Sequence, residues 1–187
     1  MDPRRGDRKA IFDIGISGPL AGLVPTLLFL LVGLQWSPYR PIAQDEMVFG
    51  TPLLVQVITS SIYGPLPAHS CIAYHPIAFA GWVGLLITSI NLIPIGQLDG
   101  GHILYGMFRR KAHAASMVVL VLAISASLAL KLTNWWLMLG LITILGTRHP
   151  PTTNDSMPLG RGRYVLGILT LAFLFLGFTP VPIGLGH

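Results

Sequence analysis

Asp99 is the residue whose type and position most strongly indicate a chemical role. It is the only charged residue between Ile77 and Phe108. A charge near the centre of a bilayer costs at least about 2.5–3.5 kcal/mol, so it is normally kept for a function. A carboxylate in that position can ligate a metal, bind a coupling ion or relay a proton. His102 lies three residues further on, on the same face of a helix, and could complete an Asp–His metal pair.

Each of these residues also has a simpler structural interpretation. Asp99 could lie at the membrane interface and cap a helix that begins at Gly100. A lone D-x-x-H is weak evidence for a metal, and His102 could simply be a local hydrogen-bond partner. Asn91, two turns before Asp99, could form a hydrogen bond between helices.

The composition places these residues in a membrane protein. Of the 187 residues, 52% are hydrophobic and only 10% are charged, against about 25% charged in ordinary soluble domains. The high hydrophobicity also excludes disorder. Cys71 is the only cysteine, so a disulfide scaffold and a cysteine-based zinc cluster are both excluded.

The apolar runs predict an all-α fold, a polytopic membrane helix bundle of about five transmembrane segments in a single domain, residues 1–187. The run 77–108 is too long for one straight helix, roughly 48 Å against a bilayer core of about 30 Å. It should therefore break around Pro94–Gly101, where a proline and several glycines are found. The predicted spans lie near 14–34, 77–108, 116–130, 135–146 and 164–178.

Two connections are also predicted. Residues 35–76 contain six prolines and are expected to lie outside the membrane, with 51–63 as a short amphipathic or re-entrant piece. The runs 116–130 and 135–146 should form a tight helical hairpin, with Lys131 directed outward and Trp135 and Trp136 at the interface.

The basic residues indicate an orientation. With a cytoplasmic N-terminus and five crossings, ten of the twelve Lys and Arg side chains fall on the cytoplasmic side, and only Arg40 and Lys131 fall outside. This positive-inside bias explains the net charge of +5 without a nucleic-acid partner. The expected surroundings are the lipid bilayer of a bacterial cell membrane.

A family resemblance adds to this picture. Asn91-Leu92-Ile93-Pro94, followed by Leu98-Asp99-Gly100-Gly101, resembles the N-x-x-P … L-D-G-G signature of the site-2 protease family, which are intramembrane zinc metalloproteases. Supporting similarities are found at Phe12–Gly22, His75–Trp82 and Arg148–Arg163.

The resemblance implies a role for each matched residue. Asp99 matches the family's third zinc ligand, and Asn91 matches the polar residue that assists at the scissile carbonyl. Pro94, Gly100 and Gly101 match positions that shape the unwound segment beside the ligand. The implied cofactor is zinc, and the implied substrate is a transmembrane segment of another protein.

One departure from the family pattern limits this expectation. The family's other two zinc ligands and its general base come from H-E-x-x-H on a helix, and that motif is absent here. Glu46 is the only glutamate and does not follow a histidine. The remaining histidines are expected at surface or interfacial positions: His69, His75, His113, His149 and His187. The sequence therefore predicts that this chain alone is inactive, either because it is truncated or because it is a non-catalytic relative.

Two other function classes remain open at this stage. In a transporter or channel fragment, Asp99 and the broken helix would form an ion site, but the sequence shows one interrupted segment and no internal repeat. In a non-enzymatic scaffold, Gly18 and Gly22 would pack helices and Asp99 would be structural.

Overall fold

A computed structural model describes residues 7–44, 46–145 and 157–185, and within them the chain is mostly helical. The helices are α1 (Arg8–Gly33), α2 (Leu53–Tyr63), α3 (Pro76–Asn91), α4 (Asp99–Phe108), α5 (Lys111–Ala129), α6 (Trp136–Leu145) and α7 (Arg161–Gly177). Short 3₁₀ turns occupy Leu34–Trp36 and Thr133–Trp135. The strands are β1 (Tyr39–Pro41), β2 (Met47–Phe49), β3 (Ser70–Ile72) and β4 (Ile183–Leu185).

The chain divides into two compact units. Among the described residues, the first unit contains 7–20, 91–145 and 157–174, and the second contains 21–44, 46–90 and 175–185. The core of the first unit is apolar and includes Phe12, Ile16, Leu92, Ile103 and Met107. This unit carries Asp99 and Asn91.

Two described helical segments are long and apolar enough to cross a membrane, Arg8–Trp36 and Lys111–Ala129. They coincide with the predicted spans near 14–34 and 116–130. The helices within the other predicted spans are shorter, from 10 to 17 residues. A mostly helical fold is thus confirmed, while the count of five crossings stays a prediction.

The segment 77–108 is broken, as its length and composition predict. α3 ends at Asn91 and α4 begins at Asp99. Between them the chain makes tight turns, in which the Ile95 N–H donates to the Ile93 carbonyl at 2.8 Å. Gly96 takes a positive φ of 58°, a conformation that glycine adopts without steric cost. The interruption covers residues 92–98, so Gly100 and Gly101 lie inside α4 rather than in the break.

Residues 35–76 contain more regular structure than the sequence predicts. α2 occupies most of the expected short piece at 51–63. β1 pairs with β3, and β2 pairs with β4, each pair antiparallel. These strands are three residues long and too short to show an alternating pattern, which explains why the sequence indicates only an irregular connection here.

The hairpin of α5 and α6 agrees with its prediction. The Leu132 N–H donates to the Ser127 carbonyl at 2.8 Å, and the Ser127 hydroxyl donates to the Leu132 carbonyl at 3.0 Å. Lys131 is exposed at the turn. Of the two tryptophans expected at an interface, Trp136 is exposed but Trp135 is buried.

Candidate functional site

Asp99 is the first residue of α4, and its carboxylate faces a glycine of α1. A side-chain carbon at Gly18 would lie 3.0 Å from Oδ2 of Asp99 and 3.7 Å from Cγ. Asp99 is half-buried, whereas Gly18 is exposed. The carboxylate thus lies beside α1, at an accessible position of the helix contact.

The contact between α1 and α4 is close along its whole length. A side-chain carbon at Gly15 would lie 2.6 Å from Cβ of His102 and 3.0 Å from the Asp99 carbonyl oxygen. One at Gly106 would lie 2.8 Å from Cβ of Phe12. Later residues of α1 meet earlier residues of α4, so the two helices are antiparallel. Glycines on both helices allow their backbones to touch.

The turn before α4 holds the helix start in place. A side-chain carbon at Gly100 would lie 2.1 Å from the Leu92 carbonyl oxygen, and one at Gly101 would lie 2.3 Å from the Gly96 carbonyl oxygen. The Ser116 hydroxyl donates to the Pro94 carbonyl at 2.9 Å. Pro94, Gly100 and Gly101, which sequence analysis assigned to the support of the site, thus take part in close contacts around the start of α4, and their role in supporting a zinc ligand stays a prediction.

Asn91 is the last residue of α3 and is half-buried. Its neighbour Leu92 packs directly against Gly100, the neighbour of Asp99. The turn thus brings the end of α3 to the start of α4 within one unit. The role of Asn91 at a scissile carbonyl stays a prediction.

The structure also bears on the simpler interpretation of Asp99. α4 begins at Asp99 itself, and the preceding Leu98 is the capping residue, without a side-chain cap. Asp99 therefore does not cap a helix starting at Gly100. Among the described residues, no side chain forms a hydrogen bond or ion pair with its carboxylate.

The described residues do not form a zinc site by themselves. Within 7–44, 46–145 and 157–185, no three His, Cys, Asp or Glu side chains converge on one point. A catalytic zinc takes three protein ligands and an open position. Asp99 can supply one carboxylate oxygen, and His102 lies on the same α4 face, which packs against α1.

Glu46 forms an ion pair with Arg40. Its carboxylate accepts hydrogen bonds from the Arg40 guanidinium, one of them at 2.7 Å, and from the Ala43 N–H at 3.2 Å. The Arg40 hydrogen bond lowers the pKa of Glu46 to about 2. Such a carboxylate is a poor general base, in agreement with the absence of an H-E-x-x-H motif.

Three of the described histidines lie outside α4. The Nδ1 atom of His75 accepts the Ile77 N–H at 3.3 Å at the start of α3, and its ring packs edge-on to Trp36. His69 is exposed, and His113 is half-buried in α5. His149 and His187 lie outside the described residues, as do Gly146 and most of the loop matched at Arg148–Arg163.

Sequence analysis missed Arg8 and Gly15. The charge count treats Arg8 as one of ten cytoplasmic charges, yet its side chain is only 3% exposed and binds the end of α4. Gly15 precedes the recognisable Gly18-x-x-x-Gly22 pattern and meets α4 more closely than Gly18 does. Neither role has a local signal, because each depends on a partner about ninety residues away.

Comparison with known proteins gives a consistent set of similarities. The family described as Peptidase family M50 matches residues 4–132. The Probable zinc metalloprotease EGY1, chloroplastic, of Arabidopsis thaliana is 32% identical over 185 residues, covering 94% of this chain and 33% of the relative. The Probable zinc metalloprotease EGY2, chloroplastic, of Oryza sativa subsp. japonica is 30% identical over 182 residues, with coverages of 94% and 33%.

Another similarity covers a smaller part of the chain. The DDT domain-containing protein PTM of Arabidopsis thaliana is 35% identical over 112 residues, which are 57% of this chain and 7% of that protein. No solved structure gives a significant match. The chain spans about a third of the length of the metalloprotease relatives. Their names place them in chloroplasts, which is at odds with the expectation of a bacterial cell membrane.

Proposed function

The chain belongs to peptidase family M50, and from that premise we propose that it is part of a zinc metalloprotease and contributes Asp99 as one zinc ligand. The observation that carries the proposal is the accessible carboxylate of Asp99, which lies against Gly18 without a partner among the described residues. A partly buried carboxylate without a hydrogen bond or counter-ion is costly, and a bound cation would offset that cost.

We further propose that the other two ligands lie outside these 187 residues. The described part of the chain offers no cluster of three ligands, and the metalloprotease relatives are about three times longer. One carboxylate and a neighbouring histidine hold a zinc ion poorly. This chain alone is therefore proposed to be inactive.

The proposed substrate is a transmembrane segment of another protein. The support is the family resemblance of the N-x-x-P … L-D-G-G signature, together with two helices that are long and apolar enough to lie in a bilayer. In this arrangement Asn91 would assist at the scissile carbonyl. The backbone between α3 and α4, unwound over residues 92–98, would line the accessible side of the site.

The first test reads the DNA immediately upstream of the Met1 codon. An in-frame H-E-x-x-H on an apolar stretch is the expected result. Its absence would favour a non-catalytic relative and would contradict the proposed enzyme.

The second test measures cleavage in phospholipid vesicles that contain a fluorescent transmembrane peptide. Protein extended to include H-E-x-x-H should cleave the peptide, and Asp99→Asn should abolish cleavage. Asp13→Asn is the matched control, because Asp13 is exposed and paired with Arg163, and it should retain cleavage. Robust cleavage by the 187-residue chain alone would contradict the proposal, as would full activity of the Asp99→Asn variant.

A further inference from the structure

Arg8, the first residue of α1, is buried and has no carboxylate partner among the residues that the structure describes. Its Nε donates to the Gly106 carbonyl at 2.6 Å, and NH2 donates to the Met107 carbonyl at 2.8 Å. NH2 also donates to the Tyr164 hydroxyl at 2.8 Å, and NH1 donates to the Met157 carbonyl at 3.1 Å. The guanidinium charge is thus satisfied by neutral oxygens. Burying it would be very costly without those bonds.

Two of these oxygens belong to the last turn of α4. Gly106 and Met107 precede the final residue, Phe108, and carbonyls at a helix C-terminus have no partner within the helix. They also carry the negative end of the helix dipole, which a cation stabilises. Arg8 therefore acts as a side-chain cap for the C-terminal end of α4.

Tyr164 of α7 strengthens the same end. Its hydroxyl donates to the Met107 carbonyl at 2.8 Å while it accepts from Arg8. Its ring centre lies 6.0 Å from the guanidinium carbon of Arg8. The C-terminal end of α4 is consequently bound by one residue of α1 and one of α7. Because hydrogen bonds are directional, they oppose movement of α4 along its axis.

The opposite end of α4 begins with Asp99. A ten-residue helix is a short rigid rod, and a shift by one residue moves it by about 1.5 Å along its axis. Fixing the carbonyls of Gly106 and Met107 therefore fixes the height of Asp99 along α1. The contacts at Gly15 and Gly18 set how closely the two helices approach. Because glycine has no side chain, these contacts do little to fix the position of α4 along the axis of α1.

We propose that Arg8 is a positioning residue, which sets the register of α4 against α1 and so places the Asp99 carboxylate opposite Gly18. The importance of that placement for metal binding rests on the proposed function. The placement itself can be measured without any metal or substrate.

The experiment uses the rate of disulfide formation to report the proximity of residues 18 and 99. In a Cys71→Ala background, cysteines are introduced as Gly18→Cys and Asp99→Cys. Cβ of residue 18 would lie 3.7 Å from the original Cγ of Asp99, so the two cysteines are within the range that a disulfide requires. The cross-linking rate is measured under mild oxidant in the 187-residue chain in detergent, with Arg8 present and with Arg8→Met.

Arg8→Met should slow this cross-link by about tenfold, the change expected when a buried hydrogen-bond network is lost. Arg8→Lys keeps the charge and one donor direction, and should recover part of the rate. A second pair, Gly22→Cys and Thr88→Cys, reports on a contact inside the second unit, where the distance from a Gly22 side-chain carbon to the Thr88 hydroxyl oxygen is 3.6 Å. Its rate should not change, whereas general loosening would slow both pairs.

Arg163→Met is the matched control for charge removal. Arg163 joins α7 to Asp13 of α1 through bonds of 2.8 and 2.9 Å and forms no hydrogen bond to α4 within the described part of the chain, so its loss should leave the 18–99 cross-link unchanged. If Arg8→Met does not fold, Arg8→Lys decides, because lysine keeps the charge but cannot make all the bonds that the guanidinium makes to the Gly106 and Met107 carbonyls, so the 18–99 cross-link should still form more slowly than with Arg8. An unchanged 18–99 rate in the folded Arg8→Met chain, or in Arg8→Lys when that variant decides, would overturn the proposal. Failure of Asp99 to bind zinc would leave the cross-linking result untouched and would count only against the proposed function.

Discussion

Two regions of the molecule are stabilised by different kinds of contact. One is the contact of α1 with α4 in the first unit, and the other is the strand region, β1 to β4, in the second unit. In the first, the helices approach closely at Gly15, Gly18 and Gly106, where an added side-chain carbon would lie 2.6, 3.0 and 2.8 Å from the nearest atom of the other helix, and buried Arg8 caps the C-terminal end of α4. In the second, three-residue strands pair through their backbones, with a close approach of Gly50 to the Val181 carbonyl oxygen, and their side chains make contacts around Phe49 and in the Arg40–Glu46 ion pair.

This difference indicates where each region tolerates change. A backbone contact leaves no room for an added atom, and interiors respond sharply to overpacking. Where several side chains pack together, one of them can be replaced while the others remain in contact. The close contacts around Asp99 are thus expected to tolerate substitution less than the side-chain contacts of the strand region do.

The largest effect is expected from Gly100→Ala. The new carbon would meet the Leu92 carbonyl oxygen at 2.1 Å, and the backbone of the turn has to move. The expected loss in the free energy of unfolding is about 3 kcal/mol or more, measured by thermal unfolding in detergent. Gly140→Ala is the control, since an added carbon there meets nothing within 4 Å, and it should gain up to about 1 kcal/mol. Equal stability of the two variants would show that the close approach at Gly100 does not restrict the backbone around Asp99.

An intermediate effect is expected from Trp82→Phe in the second unit. The indole N–H donates to the Gly50 carbonyl at 2.8 Å, and its ring packs on Phe49 and Phe79. Phenylalanine keeps most of the packing but leaves the carbonyl without that donor, at a cost of about 1–2 kcal/mol. Trp36→Phe, at a residue that is 57% exposed, should cost less than about 0.5 kcal/mol. A loss for Trp82→Phe as large as that for Gly100→Ala would contradict the comparison.

A smaller effect is expected at the start of α3. His75 precedes Pro76, the first residue of the helix, and its Nδ1 accepts the Ile77 N–H at 3.3 Å. His75→Ala should cost about 1 kcal/mol, the usual value of an N-terminal cap, whereas His75→Asn should cost less because asparagine is a good cap. Chemical unfolding of the two variants measures this. Equal losses would show that the imidazole acts by packing on Trp36 instead.

The smallest effect concerns the exposed ion pair of Arg40 with Glu46. The pKa of Glu46 falls from 4.5 to about 2 through its hydrogen bond to Arg40. A carboxyl with a lowered pKa stabilises the fold above its unfolded pKa, and this contribution is lost as the pH falls from about 4.5 to 2. Thermal midpoints of the parent and Glu46→Gln should therefore differ slightly at pH 6 and converge near pH 2. A difference that grows on acidification would show that the pair does not act in this way.

Sequence could predict those features of the fold that depend on local chemistry. The length of 77–108, with Pro94 and the glycines near it, predicts the break now seen at 92–98, and the charge of Asp99 singles out that residue as a candidate, whose role stays a prediction. The strands could not be predicted, because three residues carry no usable alternation. The contribution of Arg8 could not be predicted either, since a basic residue near a membrane segment is normally found in water.

Zinc binding by Asp99 tests the central claim most directly. Protein extended to include an H-E-x-x-H segment is purified in detergent, and its zinc content is measured beside Asp99→Asn and the 187-residue chain. The account predicts about one zinc per extended chain, with marked loss in Asp99→Asn and in the 187-residue chain. Full zinc content in Asp99→Asn would contradict it.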